Sequence, residues 1–190
     1  MFSTHLSFRT VTRFVRAAVV VTGLALVATQ PARADGPAPT DMQQQAEVEY
    51  MQFVADHHLM GTLMAEMGQI KAERRRLEKL CARIERVQAR EIGLVQRRLA
   101  GWYGIDNSPD ITDADADDLD ALGDFEGGEF DVELSRTFID HHRDIIERSR
   151  EVLPLLHHRT LRQLAEDIIR AQSREIRGFE AIIRSYGQEP

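Results

Sequence analysis

Residues 56–92 align without a gap on residues 140–176 at an offset of 84, and twelve of the 37 positions are identical. No other property of the chain restricts its fold as much. The matches include Asp56/Asp140, His57/His141, His58/His142, Leu77/Leu161, Leu80/Leu164, Ile84/Ile168, Gln88/Gln172, Glu91/Glu175 and Ile92/Ile176. A repeat of this length is one supersecondary unit written twice, and each copy needs the other to bury its apolar face. The apolar spacing inside it is helical, and no proline falls between Met42 and Trp102.

Each unit reads D-H-H, 29 residues, Q-x-R-E-I. In an antiparallel helical hairpin, residues equally far from the turn stand at the same height. The midpoint between His141 and Gln172 falls on Pro154-Leu155-Leu156-His157-His158, which reads as an exposed turn. The same offset puts the first turn near Ala72 to Arg75, where no strong breaker stands. Each copy is then a hairpin with its His pair level with its Gln and Glu. The expected fold is all-α: a duplicated helical hairpin forming a four-helix bundle, one domain over 42–187. The first hairpin spans 42–104 and the second 131–187.

Between them, 105–130 is an acidic linker. Residues 105–131 hold eleven Asp and Glu and no basic residue. A short helix is expected around Ala114 to Leu122. DADADDLDALGD does not make a calcium loop, because Asp118 occupies the glycine position and Asp124 the final glutamate position.

The first 34 residues read as a cleavable signal peptide. Arg9, Arg13 and Arg16 precede the apolar run Ala17 to Ala28, too short to span a bilayer, and Ala32-Arg33-Ala34 offers a cleavage site after Ala34. Residues 35–41 form a flexible leader. The product is expected in the periplasm or secreted, with no membrane attachment after cleavage. From residue 35 onward, 20 basic residues face 31 acidic ones, a net charge of −11. That argues against a nucleic-acid partner, whose phosphates need a basic face. A single cysteine, Cys81, excludes an internal disulfide.

Polar residues interrupt apolar helix faces at repeated places. Ile84, Gln88, Glu91 and Val95 form one stripe, and Ile168, Gln172, Glu175 and Phe179 repeat it. Tyr50, Phe53, His57, Met60, Met64 and Met67 form another, matched by Leu134, Phe138, His141 and Ile145. Neighbouring helical residues diverge by about 100°, so one histidine of each pair faces the core. His57 and His141 are assigned that role, opposite Glu91 and Glu175. His58 and His142 sit on the flank, where they join a wider site or meet another subunit, leaving a homo-oligomer open. A buried carboxylate must be paired, protonated or metal-bound.

Three readings stay open on these residues: a structural His–Glu–Gln layer that fixes register, a metal site, or surface histidines with another role. Thioether, thiol and imidazole together suit copper, especially Cu(I), although a methionine stripe also serves as core filling. The second copy has Asp144 and Arg148 where the first has Met60 and Met64, so a soft site belongs to the first half. If the inward histidines are protonated and paired with glutamate, raising pH through neutrality weakens the fold. If they hold metal, lowering pH releases it. The E-x-x-H signature of di-iron bundles is absent.

The segments FDVELSRTFIDHHRDII and LAEDIIRAQSREI, with VADHHLMGTLMAEM and LCARIERVQAREI followed by GWYG, resemble the bacterial "domain of unknown function 305" family over about residues 46–186. The resemblance implies an exported, ferritin-like helical bundle. Some members bind copper through Met and His and are linked to copper resistance. Carried onto this chain, the implied metal residues are His57, His58, Met60, Met64, His141 and His142, with Glu91 and Glu175 and the supporting Gln88 and Gln172. Arg148-Ser149 stands where the family commonly has Met-Ala, and Phe138 where it commonly has methionine.

The reading is therefore an exported bundle that binds a transition metal, copper first, for sequestration or homeostasis rather than catalysis. The alternatives are a metal-free interaction module with buried His–Glu layers and a ferritin-like redox enzyme with a His/Glu centre. No catalytic residue and no organic cofactor are assigned.

Overall fold

The computed structural model describes residues 38–187. The signal peptide and the first three leader residues lie outside them. Five α-helices follow in order: α1 Asp41–Lys71, α2 Arg75–Arg98, α3 Asp113–Gly123, α4 Gly127–Val152 and α5 Arg159–Tyr186. A π-helical turn, Leu99–Tyr103, extends α2, and a 3-10 turn, Leu153–Leu155, follows α4. The fold is an all-α helical bundle, with no strand among the described residues.

Local chemistry sets most helix ends. Thr40 caps α1 in a reciprocal box with Gln43, and Thr112 caps α3 the same way with Asp115. Each such cap contributes about 1 kcal/mol. The π turn closes at Gly104, whose φ of 67° is the left-handed region that glycine tolerates best. Pro154 ends α4 and the backbone turns at Leu156.

The first turn, at 72–74, has no such local device. It is capped from the other half of the chain. Asp131 on α4 accepts the N–H groups of Glu73 and Arg74, both at 2.9 Å, and the Tyr186 hydroxyl at 2.7 Å. Lys71 reaches across to the Gly123 carbonyl and Glu126. The stretch read as a linker is a packed element: Leu119 and Leu122 of α3 are buried, and α3 rests on α1 and α4. The helix α4 begins at Gly127, inside that acidic stretch.

The most extensive packing lies within each hairpin, α1 on α2 and α4 on α5, and the hairpins join mainly through α1 and α4. The apolar interior falls into two clusters. One holds Met60, Met64, Met67, Leu77, Cys81, Ile84, Leu134, Phe138 and Phe179. The other holds Tyr50, Met51, Val54, Val95, Leu99, Ile145, Leu161 and Ile168. On all four long helices the residues between the two clusters are the repeated polar ones: His57 and His58, Gln88 and Glu91, His141 and His142, Gln172 and Glu175. They form a polar layer across the middle of an apolar bundle.

Candidate metal centre

The hairpin geometry brings each repeated histidine pair to the height of its glutamate, but with the opposite face assignment. His58 Nε2 lies 2.8 Å from Glu91 Oε2, and His142 Nε2 lies 3.1 Å from Glu175 Oε2. His58 and His142 are wholly buried. They face the partner helix of their own hairpin. His57 and His141, expected to meet the glutamates, face the other hairpin. Their rings stack on each other with centroids 3.6 Å apart and planes 19° apart, and His57 Nε2 lies 2.9 Å from the His141 carbonyl oxygen. The flank assigned to His58 and His142 is thus interior. A helix in a bundle has two buried sides, one toward its hairpin partner and one toward the neighbouring hairpin, and adjacent histidines serve one each.

The layer is short of hydrogen-bond partners. Nδ1 of His57, both ring nitrogens of His58 and His142, Nε2 of His141, both amide atoms of Gln88 and Oε1 of Gln172 are buried without one. The contacts of His58 and His142 with glutamate are close approaches, but the ring N–H vectors do not align with the oxygens, so they are not good hydrogen bonds. A cavity of about 10 Å³ opens between α2 and α5, lined by Ile84, Gln88, Glu91, Ile168, Gln172 and Glu175. It has room for a single water molecule.

Burial sets the charge state. Desolvation pushes His57 down to about 3, reinforced by His58 and His142 and opposed by the bond to the His141 carbonyl. His141 is held well below its ordinary value by burial and by the neighbouring rings. Burial also lowers His142, against the pull of Glu175. These rings are neutral at neutral pH and keep a lone pair. Protonated rings at His57 and His141 paired with glutamate, the basis of the expected loss of stability at higher pH, are not found: burial lowers both, and neither ring meets a glutamate.

Met60, Met64 and Met67 lie in the same apolar cluster as Cys81, and burial pushes the Cys81 thiol up to about 12. They pack the core beside the layer. The donor set, neutral imidazoles with unpartnered nitrogens next to thioethers, fits a soft or borderline metal such as copper. Among the described residues, however, no three His, Cys, Asp or Glu side chains converge to hold an ion. The chemistry is present without a preformed cage.

A second polar cluster escaped the sequence reading. Glu47 is wholly buried and accepts from the Tyr103 hydroxyl, from the His158 N–H at 2.7 Å and from His158 Nδ1 at 2.6 Å. Burial raises its carboxyl, but these hydrogen bonds outweigh that and hold it below the usual range. His158, expected in an exposed turn, is the half-buried N-cap of α5 and stacks on Trp102 with centroids 3.9 Å apart. The signal was Glu47 itself: with Tyr50 and Val54 it falls at i, i+3 and i+7, on a buried stripe.

Comparison with known proteins places this architecture. No match was found among curated proteins. Among solved structures, CopM superposes with a TM-score of 0.66 at 28% identity, covering 74% of this chain and 96% of its own; it is described in Cu(I)-bound and Ag-bound forms. At 27% identity the same protein appears in a Cu(II)-bound form. A protein from Streptomyces coelicolor, described as a putative secreted DUF305 protein, gives a TM-score of 0.66 at 19% identity, over 75% of this chain and 92% of its own. A DUF305 fragment from Deinococcus radiodurans gives 0.67 at 20%, over 78% of this chain and 99% of its own. The last two show a shared fold. No described helix is long and apolar enough to cross a membrane. The model of the domain of unknown function DUF305 matches residues 47–183, a span that includes the whole polar layer, and the chain belongs to that family.

Proposed function

We infer that this is an exported copper-binding protein that sequesters or hands on the ion, with the mid-bundle layer as its metal centre. The observation that carries this reading is the set of buried imidazoles at His57, His58, His141 and His142, each with at least one ring nitrogen that lacks a hydrogen-bond partner. Such groups are costly to leave unsatisfied in an apolar interior, and a metal ion satisfies them. The similarity to CopM, described with Cu(I), Cu(II) and Ag, supports the choice of metal. Met60 and Met64 add thioethers on the first-copy side, with Glu91, Glu175, Gln88 and Gln172 supplying oxygens around the rings. Because no three-donor cage is preformed, binding requires side-chain rotation within the layer.

The test is metal stoichiometry of the purified chain, with Ag(I) as an air-stable probe for Cu(I), in wild type and in H57A/H141A and H58A/H142A. Stoichiometric binding that falls in the double variants supports the reading. Bound iron with oxygen consumption points to a redox bundle instead. The direct approach of His58 to Glu91 and of His142 to Glu175 favours a second reading, a metal-free layer that fixes register. No bound metal and a large loss of stability in H58A/H142A would select it.

A further inference from the structure

The Glu47 cluster lies apart from the layer, and the function above does not use it. A carboxylate only accepts hydrogen bonds, so the 2.6 Å contact to Glu47 puts a proton on His158 Nδ1 and leaves Nε2 as the nitrogen that can bind an ion. This is how proteins orient a metal-binding imidazole: the far nitrogen donates to a buried acceptor, which fixes the tautomer and the ring plane. The His158 side chain is 22% exposed, so an ion has access to it. The stacked Trp102 ring holds its plane.

A second imidazole stands beside it. The rings of His157 and His158 have centroids 5.2 Å apart and are perpendicular. Two imidazoles on one ion, with bonds of about 2.0–2.1 Å, place their ring centres roughly 4.5 Å apart at a square-planar angle and roughly 5 Å apart at a tetrahedral one. The turn is held in place by Arg162, which donates to the carbonyls of Leu156 and His157. Arg98 sits over Trp102 and donates to Thr160, and the positive end of α5 is answered by Glu47.

We propose that His157 and His158 form a second metal site, at the bundle end, for a divalent imidazole-preferring ion such as Cu(II), with Glu47 as its positioning residue. It does not depend on the mid-bundle reading. Trp102 is the only tryptophan in the chain and stacks on the proposed ligand, so its emission reports on Cu(II) there. Cu(II) titration of the full chain should quench more than half of that emission in a saturable phase that takes up one ion per chain. H157A should raise the half-quenching concentration at least tenfold. E47Q should weaken binding by about ten- to a hundredfold. H57A should leave the midpoint unchanged. Zn(II), which does not quench, should restore emission by competition. The His157 ring makes no hydrogen bond among the described residues, so H157A should keep the wild-type helical signal; if it does not, H157Q takes its place. Quenching that never saturates, or that H157A or its replacement leaves unchanged, overturns the proposal. Quenching lost in H57A but kept in H157A overturns it too, while supporting the mid-bundle site.

Discussion

The two copies of the repeat hold the same His–Glu pair in different surroundings. Glu91 keeps 17% of its side chain exposed, whereas Glu175 keeps 6% and also receives Arg83 Nη2 at 3.2 Å, donated from the first copy. The trade is not returned: the equivalent of Arg83 is Asp167, which pairs with Arg170 on the surface. Around His142 stand Phe138 and Phe179, whose equivalents near His58 are the smaller Val54 and Val95. Met60, Met64 and Cys81 of the first copy correspond to Asp144, Arg148 and Ala165 of the second. The pair is therefore set by helix heights, which the repeat preserves, and the firmness of its setting by neighbours, which the repeat does not.

The largest expected effect tests that difference directly. H142A empties a wholly buried site between Phe138 and Phe179, leaves Glu175 with Arg83 alone, and should cost about 3–5 kcal/mol in urea unfolding. H58A leaves Glu91 able to reach water and should cost less, about 1–3 kcal/mol. Equal losses would break the comparison.

Acid gives the next effect. His57, His141 and His142 sit below their ordinary values in the folded chain and return to about 6.5 on unfolding. The folded state thus binds fewer protons than the unfolded one below that pH. Stability is full above about pH 6.5 and is lost as pH falls beneath it. Metal-free protein should lose up to about 1.4 kcal/mol per pH unit for each ring, and H57A/H141A should flatten that slope in unfolding curves. A slope that the double variant leaves intact would locate the titration elsewhere. The smallest effect is R83M. Its guanidinium is half exposed, so removing the ion pair with Glu175 should cost below about 1 kcal/mol. A greater loss would mean that the second copy leans on the first more than the geometry indicates.

Much of the architecture was legible in the sequence because it rests on period and offset. The 84-residue shift gave the two hairpins and put each His pair level with its Glu. Which histidine met the glutamate was not legible. A 100° step separates neighbours, and α1 buries residues on both of its inner sides, so one apolar stripe could not say which side faced the hairpin partner. The acidic stretch read as a linker because its charge outweighs its two core leucines, Leu119 and Leu122, which gain their meaning only against α1 and α4. The pairing of Glu47 with His158 spans 111 residues, and Glu47 precedes the repeated segment, so no offset could reveal it.

Asp131 carries a consequence for how the chain assembles. The first hairpin owes the start of its second helix to a carboxylate from the second hairpin, which also holds Tyr186 near the end of the chain. Neither half is a self-sufficient module. The molecule should therefore melt in one all-or-none transition, and its two halves, alike as they are in sequence, should not fold apart.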